Sequence, residues 1–314
     1  MSKDKDIQAA EGMAGKVLKV IVPLAVSVGL VVWLFHKVNI SQVAEIVRHG
    51  VDYRYIVAMM LLTMFSHIIR GIRWGIQLRA AGIPRMPVVA ESVSIFGAYA
   101  LNLVFPYLGE AWRCVYVTRR ENAKLSTVIG TDLGDRASDA VMIGLLILLA
   151  MFVAGPYLDR FMDKYPIGQD LQHYAYDGTM WAWVAVTLVV VGVAAYLARK
   201  TRFMQGVKAN VERMKAGFAT LFHLGGDTWL YILLTFGIWT CYFLETYSCF
   251  WAFPFTRELI HHHGYALGLI PGLVVFVFGS CSMAVPSNGG LGAWNVAVMF
   301  ALSLFGIADS DGAA

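Results

Sequence analysis

The sequence is poor in charge, since charged residues make up 15% of its 314 positions and hydrophobic residues make up 58%. Soluble domains average about 25% charged and about 45–50% apolar residues. Charge is nearly missing from long stretches, which cover residues 17–35, 140–154, 184–197, 229–253 and 265–285. A helix that crosses ~30 Å of hydrocarbon needs about 20 mainly apolar residues. The pattern predicts a helical integral membrane protein and argues against a soluble core.

Cysteine is scarce, and its spacing indicates neither a cross-linked nor a metal-bound framework. The four copies lie far apart without a CxxC pair, at Cys114, Cys241, Cys249 and Cys281. Zinc ribbons and small disulfide-bonded domains need closely spaced pairs. We therefore predict reduced cysteines and no structural metal.

The motifs of several enzyme classes are also missing. No Walker loop, HExxH, dinucleotide fingerprint or nucleophile elbow is present, and the histidine run at 261–263 lacks the helical spacing of a closed metal site. The formal charge of +4 is too small to indicate nucleic-acid binding. The sequence thus predicts no enzyme activity, cofactor, metal site or nucleic-acid partner.

Basic residues indicate on which side of the membrane the chain begins. Lys3, Lys5, Lys16 and Lys19 precede or open the first apolar stretch, which lacks a small-residue cleavage site. Positive charge is enriched in cytoplasmic loops. We therefore predict that residues 17–35 form a retained span in a bacterial cytoplasmic membrane, with the N-terminus in the cytoplasm.

The stretch at residues 88–105 does not fit simple alternation across the membrane. Basic loops flank it on both sides, the first of them after a span predicted at residues 55–72. Both loops can be cytoplasmic only if the chain between them turns back within the membrane. Broken helices of this kind are tolerated where protein or a water-filled cavity surrounds them. We predict that residues 88–125 are re-entrant, with the break at 106–109.

The remaining stretches complete a single transmembrane domain over residues 1–314. Further spans are predicted at 137–157, 181–197 and 229–253, followed by the interrupted stretch 265–285. The predicted parts are a polar cytoplasmic tail (1–16), a first half (17–157), an outer loop with one span and a basic cytoplasmic linker (158–226), and a second half (227–314). Residues 308–314 are typical of a loop before another helix, so a C-terminal truncation is expected.

Two Pro/Gly breaks occupy corresponding places in the two halves. The break at Pro106 precedes Ala111-Trp112, and the break at Pro286 precedes Ala293-Trp294. Interrupted helices at matching positions are typical of transporters built from inverted repeats, whose binding site lies between the repeats. The predicted fold is therefore an all-α membrane bundle with two broken, re-entrant segments in an inverted-repeat arrangement.

One helix face carries four ionisable residues at the spacing i, i+3, i+4 and i+7: Asp132, Asp135, Arg136 and Asp139. Ionisable groups at membrane depth are costly and face a cavity or one another. The cluster indicates either an interfacial set of salt bridges or a substrate or ion pathway. The sequence favours neither interpretation.

Three arginines are candidates for binding an anionic headgroup. Arg70 and Arg73 end the second predicted span, and Arg113 follows the first Pro/Gly break. A guanidinium group binds phosphate in a bidentate manner. In the alternative interpretation, Arg113 pairs with Glu110, while Arg70 and Arg73 serve as positive-inside anchors.

Glycines precede the last helix of the second half, at Gly289, Gly290 and Gly292. Glycine lets a backbone approach a ligand closely, and the amides at a helix N-terminus suit anions. Close packing between helices is the simpler explanation for the same residues.

Four motifs in this order resemble the transmembrane domain of the lysylphosphatidylglycerol synthase/flippase family, over nearly the whole chain. They are Arg70-x-x-Arg73-Trp74, Asn102-x-x-x-Pro106-x-x-Gly109-Glu110-x-x-Arg113, Asp135-Arg136-x-x-Asp139 and Pro286-x-x-Gly289-Gly290-x-Gly292. The sequence departs from the family pattern at Asp135 and Asn295, where glutamate is common. The resemblance implies that the motif residues, together with Asn295, line a substrate site.

The resemblance further implies a module that moves lipids between leaflets. No part of the chain corresponds to the soluble aminoacyl transferase domain of the bifunctional members, so lysyl transfer is expected to be absent. We predict a flippase-like protein whose substrate is a phospholipid or lipid-linked molecule with an anionic headgroup. A membrane-embedded lipid or polyprenyl-linked sugar transferase and a non-transporting scaffold are the alternatives, and the sequence leaves the oligomeric state open.

Overall fold

The computed structural model describes residues 50–104, 108–164, 202–283 and 292–307. The regular secondary structure of these ranges is helical. Several predictions fall outside the described residues: the spans at 17–35 and 181–197, and the candidate site residues Pro106, Pro286, Gly289 and Gly290.

The helices of the described ranges are α1 (Tyr53–Ala80), α2 (Val88–Val104), α3 (Leu108–Arg120), α4 (Leu125–Lys164), α5 (Arg202–Ala219), α6 (Thr228–Ala252), α7 (Pro254–His261), α8 (Leu269–Ser282) and α9 (Ala293–Ser303). Two short 3₁₀ turns, Thr220–Phe222 and Gly225–Asp227, join α5 to α6. The first member of the histidine run, His261, is the last residue of α7.

Three of the described segments are long and apolar enough to cross a membrane. They are Tyr53–Ala80, Leu125–Gly155 and Gly225–Ala252, whose apolar windows have mean hydropathies of 1.6, 2.3 and 1.2. Large apolar side chains such as Phe152 and Leu61 are exposed on them, as on a surface that contacts hydrocarbon rather than water. The chain is a membrane protein with an all-α fold, as predicted.

Two of these helices extend beyond the predicted spans into charged sequence. α1 continues past residue 72 to Ala80, and α4 begins at Leu125 rather than near residue 137. Asp132, Asp135 and Arg136, which precede the predicted span at 137–157, therefore lie within α4. The predicted spans stop at these charged residues because their boundaries follow hydropathy. In the structure the charges of α1 and α4 neutralise one another, so both helices continue.

The two halves each contain a pair of helices that pack against each other, α2 with α3 and α8 with α9. Within each pair a glycine of the first helix contacts a tryptophan of the second: Gly97 with Trp112, and Gly279 with Trp294. The sequence separation is the same in both. The repeated contact supports the predicted repeat, whose inverted symmetry and re-entrant insertion stay predictions.

Glycines also bring the first helices into close contact. A Cβ atom at Gly71 on α1 would lie 2.9 Å from the carbonyl carbon of Glu91 on α2, and Gly75 lies against the Glu91 side chain. Small residues four positions apart let membrane helices approach at backbone distance. α1 also makes extensive contact with α6, so it lies at the centre of the described bundle.

Candidate functional site

The charged residues of three separate motifs form one group where α1, α3 and α4 meet, and all but Arg136 and Glu110 are buried. Four arginines face four carboxylates, so the group is neutral when all are ionised. We call this the charge cluster; it consists of Arg70, Arg73, Glu110, Arg113, Asp132, Asp135, Arg136 and Asp139.

Arg73 lies at the centre of the charge cluster and is fully buried. Its Nη2 atom lies 2.6 Å from Asp135 Oδ1 and 2.9 Å from Asp139 Oδ1, and its Nε donates to Asp135 Oδ1 at 3.0 Å. Arg70, one turn earlier, pairs with Asp139 and donates to the Tyr242 hydroxyl at 3.2 Å. Buried charges persist only when they are paired and hydrogen-bonded, and α4 supplies these partners.

Arg113 brings α3 into the same cluster. Its Nη2 atom lies 2.6 Å from Asp132 Oδ1 and 3.4 Å from Asp135 Oδ2, and its guanidinium lies 4.1 Å from the centre of the Trp74 ring. The hypothesis that Arg113 pairs with Glu110 is wrong, because Glu110 pairs with Arg136 of α4 instead. Both carboxylate partners of Arg113 lie one turn apart on a single face of α4.

Asn102 connects the two sides of the first Pro/Gly break. Its Oδ1 accepts a hydrogen bond from the Gly109 amide at 2.8 Å, and its Nδ2 donates to Glu110 Oε2 at 3.0 Å. Gly109 lies against the Ala98 carbonyl, where a Cβ has no room. The end of α2, the start of α3 and, through Arg136, α4 are therefore joined by side-chain hydrogen bonds and an ion pair.

The described site residues of the second half lie on α9 and at its start. Gly292 precedes α9 with a φ of 84°, a conformation that favours glycine, and its amide donates to Asn295 Oδ1 at 3.3 Å. Within the described residues, no hydrogen bond or ion pair joins Gly292 or Asn295 to the charge cluster. Asn295 has a capping role that the sequence did not predict.

A cavity of about 450 Å³ opens beside the charge cluster, and we call it the polar chamber. Its polar lining includes residues from three helices: His67 and Arg70 of α1, Arg136 and Asp139 of α4, and Tyr242 and Glu245 of α6. Trp239, Phe276 and Trp294 are among the apolar residues that complete its wall. Arg136 and Arg70 are thus the arginines of the charge cluster that border open space.

A second cavity of about 280 Å³ adjoins the first, and we call it the apolar chamber. Its lining includes Ile56, Phe250, Val298 and Leu302. Five residues border both chambers: Met59, Thr246, Cys249, Val275 and Trp294. A polar space next to the charge cluster therefore continues into an apolar one.

Sequence reasoning missed two ionisable residues of the polar chamber, His67 and Glu245. Glu245 is the single charged residue in the apolar stretch 229–253, and His67 lies inside the predicted span 55–72. An ionisable residue within a membrane span is by itself an indication of function. The sequence therefore contained a signal that both residues belong to the site. Among the residues that the structure describes, no group of three or more His, Cys, Asp and Glu could hold a metal ion.

The chain was compared with models of known protein families. The family model described as Lysylphosphatidylglycerol synthase TM region matches residues 20–314. The chain belongs to this family. No curated protein and no solved structure matches the chain significantly. Membership in the lysylphosphatidylglycerol synthase TM family confirms the resemblance carried by the four motifs and identifies a membrane protein linked to lipid handling.

Proposed function

We propose that this protein binds a phospholipid or lipid-linked molecule in its two chambers and moves it between the leaflets of the membrane. The observation that carries the proposal is the junction of the chambers, because a charged wall continues directly into an apolar one. An amphipathic lipid needs a polar site for its headgroup and an apolar site for its chain. A water-soluble substrate would need only the first.

We assign the headgroup site to Arg136, with Arg70 beside it. The Arg136 side chain is 41% exposed and has one carboxylate partner, Glu110, so several of its five N–H donors remain for an anionic headgroup. Arg73 and Arg113, which are 0% and 1% exposed, are engaged by the aspartates of α4. Their proposed role therefore changes from binding the headgroup to holding α4 in place.

We infer that the protein lies in the bacterial cytoplasmic membrane with its N-terminus in the cytoplasm, and that the headgroup enters from the cytoplasmic side. The basic loops support this orientation, because positive charge is enriched on that side. Arg79 and Arg119 lie at the ends of α1 and α3, next to the charge cluster in the chain.

Lipid movement by the purified protein tests the proposal. Vesicles that contain the protein and a fluorescent anionic phospholipid would be treated with a membrane-impermeant quencher, which reports the fraction of lipid in the outer leaflet over time. We expect faster exchange than in empty vesicles. Arg136→Ala should slow it about tenfold or more, since hydrogen bonds to charged groups contribute about 1.5–3 kcal/mol and about 1.4 kcal/mol is tenfold. Arg119→Ala, on the exposed end of α3, is the matched control.

Two outcomes would overturn the proposal. Exchange no faster than in empty vesicles, with the protein folded, would favour the non-transporting scaffold. A change in the mass of the lipid after incubation with the protein would favour a transferase.

A further inference from the structure

Glu245 lies in the polar chamber and has no cationic partner among the residues that the structure describes. Its Oε1 atom lies 3.2 Å from the Ser66 hydroxyl on α1, and the ion pairs of the described residues do not include it. By contrast, Glu110, Asp132, Asp135 and Asp139 each pair with an arginine. An ionised carboxylate within a membrane span is costly unless it is paired, so Glu245 differs from the other carboxylates of the site.

The hydrogen bonds around Ser66 fit a protonated Glu245. The Ser66 hydroxyl has one hydrogen and three potential acceptors: the Thr63 carbonyl at 2.9 Å, Glu245 Oε1 at 3.2 Å and His67 Nδ1 at 3.3 Å. When Glu245 carries a proton, it donates to Ser66 Oγ, and Ser66 donates to Thr63. His67 in its Nδ1–H tautomer then also donates to Ser66 Oγ, so each polar group has a partner. When Glu245 is ionised, it competes with Thr63 for the single hydroxyl hydrogen.

The ionisable groups around Glu245 determine how its protonation changes the charge of the polar chamber. The chamber is bordered by His67 and Arg70 on α1, Tyr99 on α2, Arg136 and Asp139 on α4, and Tyr242 and Cys249 on α6. The charge cluster is neutral, because Glu110 and the aspartates of α4 already compensate its arginines, so an ionised Glu245 adds one negative charge to the chamber. Protonation of Glu245 removes this negative charge from the wall that Arg70 and Arg136 border.

We infer that Glu245 is a proton-binding site of the polar chamber, protonated when the chamber holds an anionic headgroup and ionised when it does not. The proton binds the carboxylate oxygen, which removes a negative charge that would repel the anion from the arginines of the wall. The link to the headgroup rests on the proposed function, whereas the proton site does not. Proton concentration would thus control how tightly the chamber binds an anionic lipid.

Infrared spectroscopy tests the proton site without any lipid assay. The protein in neutral-lipid vesicles would be titrated from about pH 8 down to about pH 5, and the C=O stretch of protonated carboxylic acids would be followed in difference spectra. We expect a band in the parent protein that is absent in Glu245→Gln and retained in Glu258→Gln, an exposed glutamate on α7. In Ser66→Ala the band should move in frequency, because the hydrogen bond to Oγ is lost.

Identical band amplitudes in the parent and Glu245→Gln would overturn the proton site. Should Glu245→Gln not fold, Ser66→Ala keeps the inference testable, since an unshifted band there contradicts it too.

Lipid binding tests the second part of the inference. Binding of phosphatidylglycerol would be compared with that of phosphatidylcholine over the same pH range. We expect the preference for the anionic lipid to rise about tenfold as pH falls in the parent, and to be high and independent of pH in Glu245→Gln. A protonation band combined with no pH dependence of this preference would leave the proton site intact and refute its link to the headgroup. A protein that prefers neither lipid at any pH, with the band present, would contradict the proposed function instead.

Discussion

Trp294 packs so closely on Gly279 that a Cβ atom at position 279 would lie 2.8 Å from the indole Nε1. Trp112 occupies the corresponding position against Gly97 in the first half. Trp294 also borders both chambers, and Glu110, which pairs with Arg136, lies on the same helix as Trp112. The contact between glycine and tryptophan therefore fixes α9, which borders the chambers, in the second half. In the first half it fixes α3, which carries the ion-pair partner of Arg136.

We predict that Gly97→Ala and Gly279→Ala destabilise the protein. The added methyl group displaces an indole ring, and overpacking costs about 1–3 kcal/mol, which exceeds the roughly 1 kcal/mol that alanine gains over glycine in a helix. Thermal unfolding in detergent measures the effect. Gly237→Ala on α6 is the matched control, because a Cβ there meets nothing within 4 Å, and its midpoint should be unchanged or higher. Equal midpoints for all three variants would contradict the prediction.

The sequence was sufficient to predict the membrane fold and most of the charge cluster. The helical spacing of Asp132, Asp135 and Asp139 places them on one face of α4. Although they are far from Arg70 and Arg73 in the chain, the packing of α1 on α4 brings the two sets into contact. The sequence could not give the pairing itself. Arg113 and Glu110 are at helical spacing and suit each other locally, but each has a better partner on α4.

The chambers could not be predicted from the sequence, because they are defined by packing between helices far apart in the chain. Glu245 and His67 are recognisable in the sequence as ionisable residues within apolar stretches. Only the packing of α1 on α6 shows that both line the polar chamber. Gly71 and Gly75 are a similar case. Their spacing is typical of close helix contacts, but the partner helix, α2, is known only from the structure.

Asp135 is predicted to be the most sensitive residue of the charge cluster. It is fully buried and lies within 3.6 Å of Arg70, 2.6 Å of Arg73 and 3.4 Å of Arg113. Asp135→Asn leaves these arginines with an uncompensated charge, and breaking a buried pair costs about 3–5 kcal/mol. We expect a large fall in the thermal unfolding midpoint in detergent.

The control for Asp135→Asn is an exposed carboxylate that also pairs with a cation. Glu212 lies 3.3 Å from Lys215 on α5, and both side chains are largely exposed. Surface pairs contribute little, so Glu212→Gln should leave the midpoint nearly unchanged. Similar midpoints for the two variants would mean that the charge cluster does not stabilise the fold.

Asp139 and Arg136 are predicted to be required for lipid movement. Both border the polar chamber. Arg136→Ala removes a half-exposed side chain and its ion pair with Glu110, which should cost little stability because ion pairs that solvent reaches contribute about 0–1 kcal/mol. Asp139→Asn also removes a partner of Arg70 and Arg73, so it should reduce stability as well as movement. Vesicle exchange measured alongside unfolding separates the two effects. Normal lipid exchange in both variants would mean that the charge cluster has a purely structural role.

The apolar chamber is predicted to hold an acyl chain. Val298→Phe places a larger side chain in its lining and should weaken binding of a long-chain phospholipid, while binding of the water-soluble headgroup glycerol phosphate is unchanged. Leu233→Phe is the control, since Leu233 is 61% exposed on α6 and outside both chamber linings. Native mass spectrometry measures the bound lipid. Unchanged long-chain binding in Val298→Phe would mean that the chain does not lie there.

The helix lengths support a hairpin that returns to the side from which it entered. α3 has 13 residues, which corresponds to about 20 Å at 1.5 Å per residue, too short to cross ~30 Å of hydrocarbon. Since α2 and α3 pack against each other, we predict that Arg79, before the hairpin, and Arg119, at its end, both face the cytoplasm. His262, after α6 and α7, should face outward.

Labelling of single cysteines in intact cells measures these positions. In a background without the native cysteines, Arg79→Cys and Arg119→Cys should be protected from a membrane-impermeant thiol reagent and should react after the cells are opened. His262→Cys should react in both cases, which shows that the reagent reaches the outer face. Because Arg119 is exposed at the end of α3, protection there reflects the membrane rather than burial. Labelling of Arg119→Cys from outside, with Arg79→Cys protected, would mean that the α2–α3 segment crosses the membrane and that the re-entrant prediction is wrong.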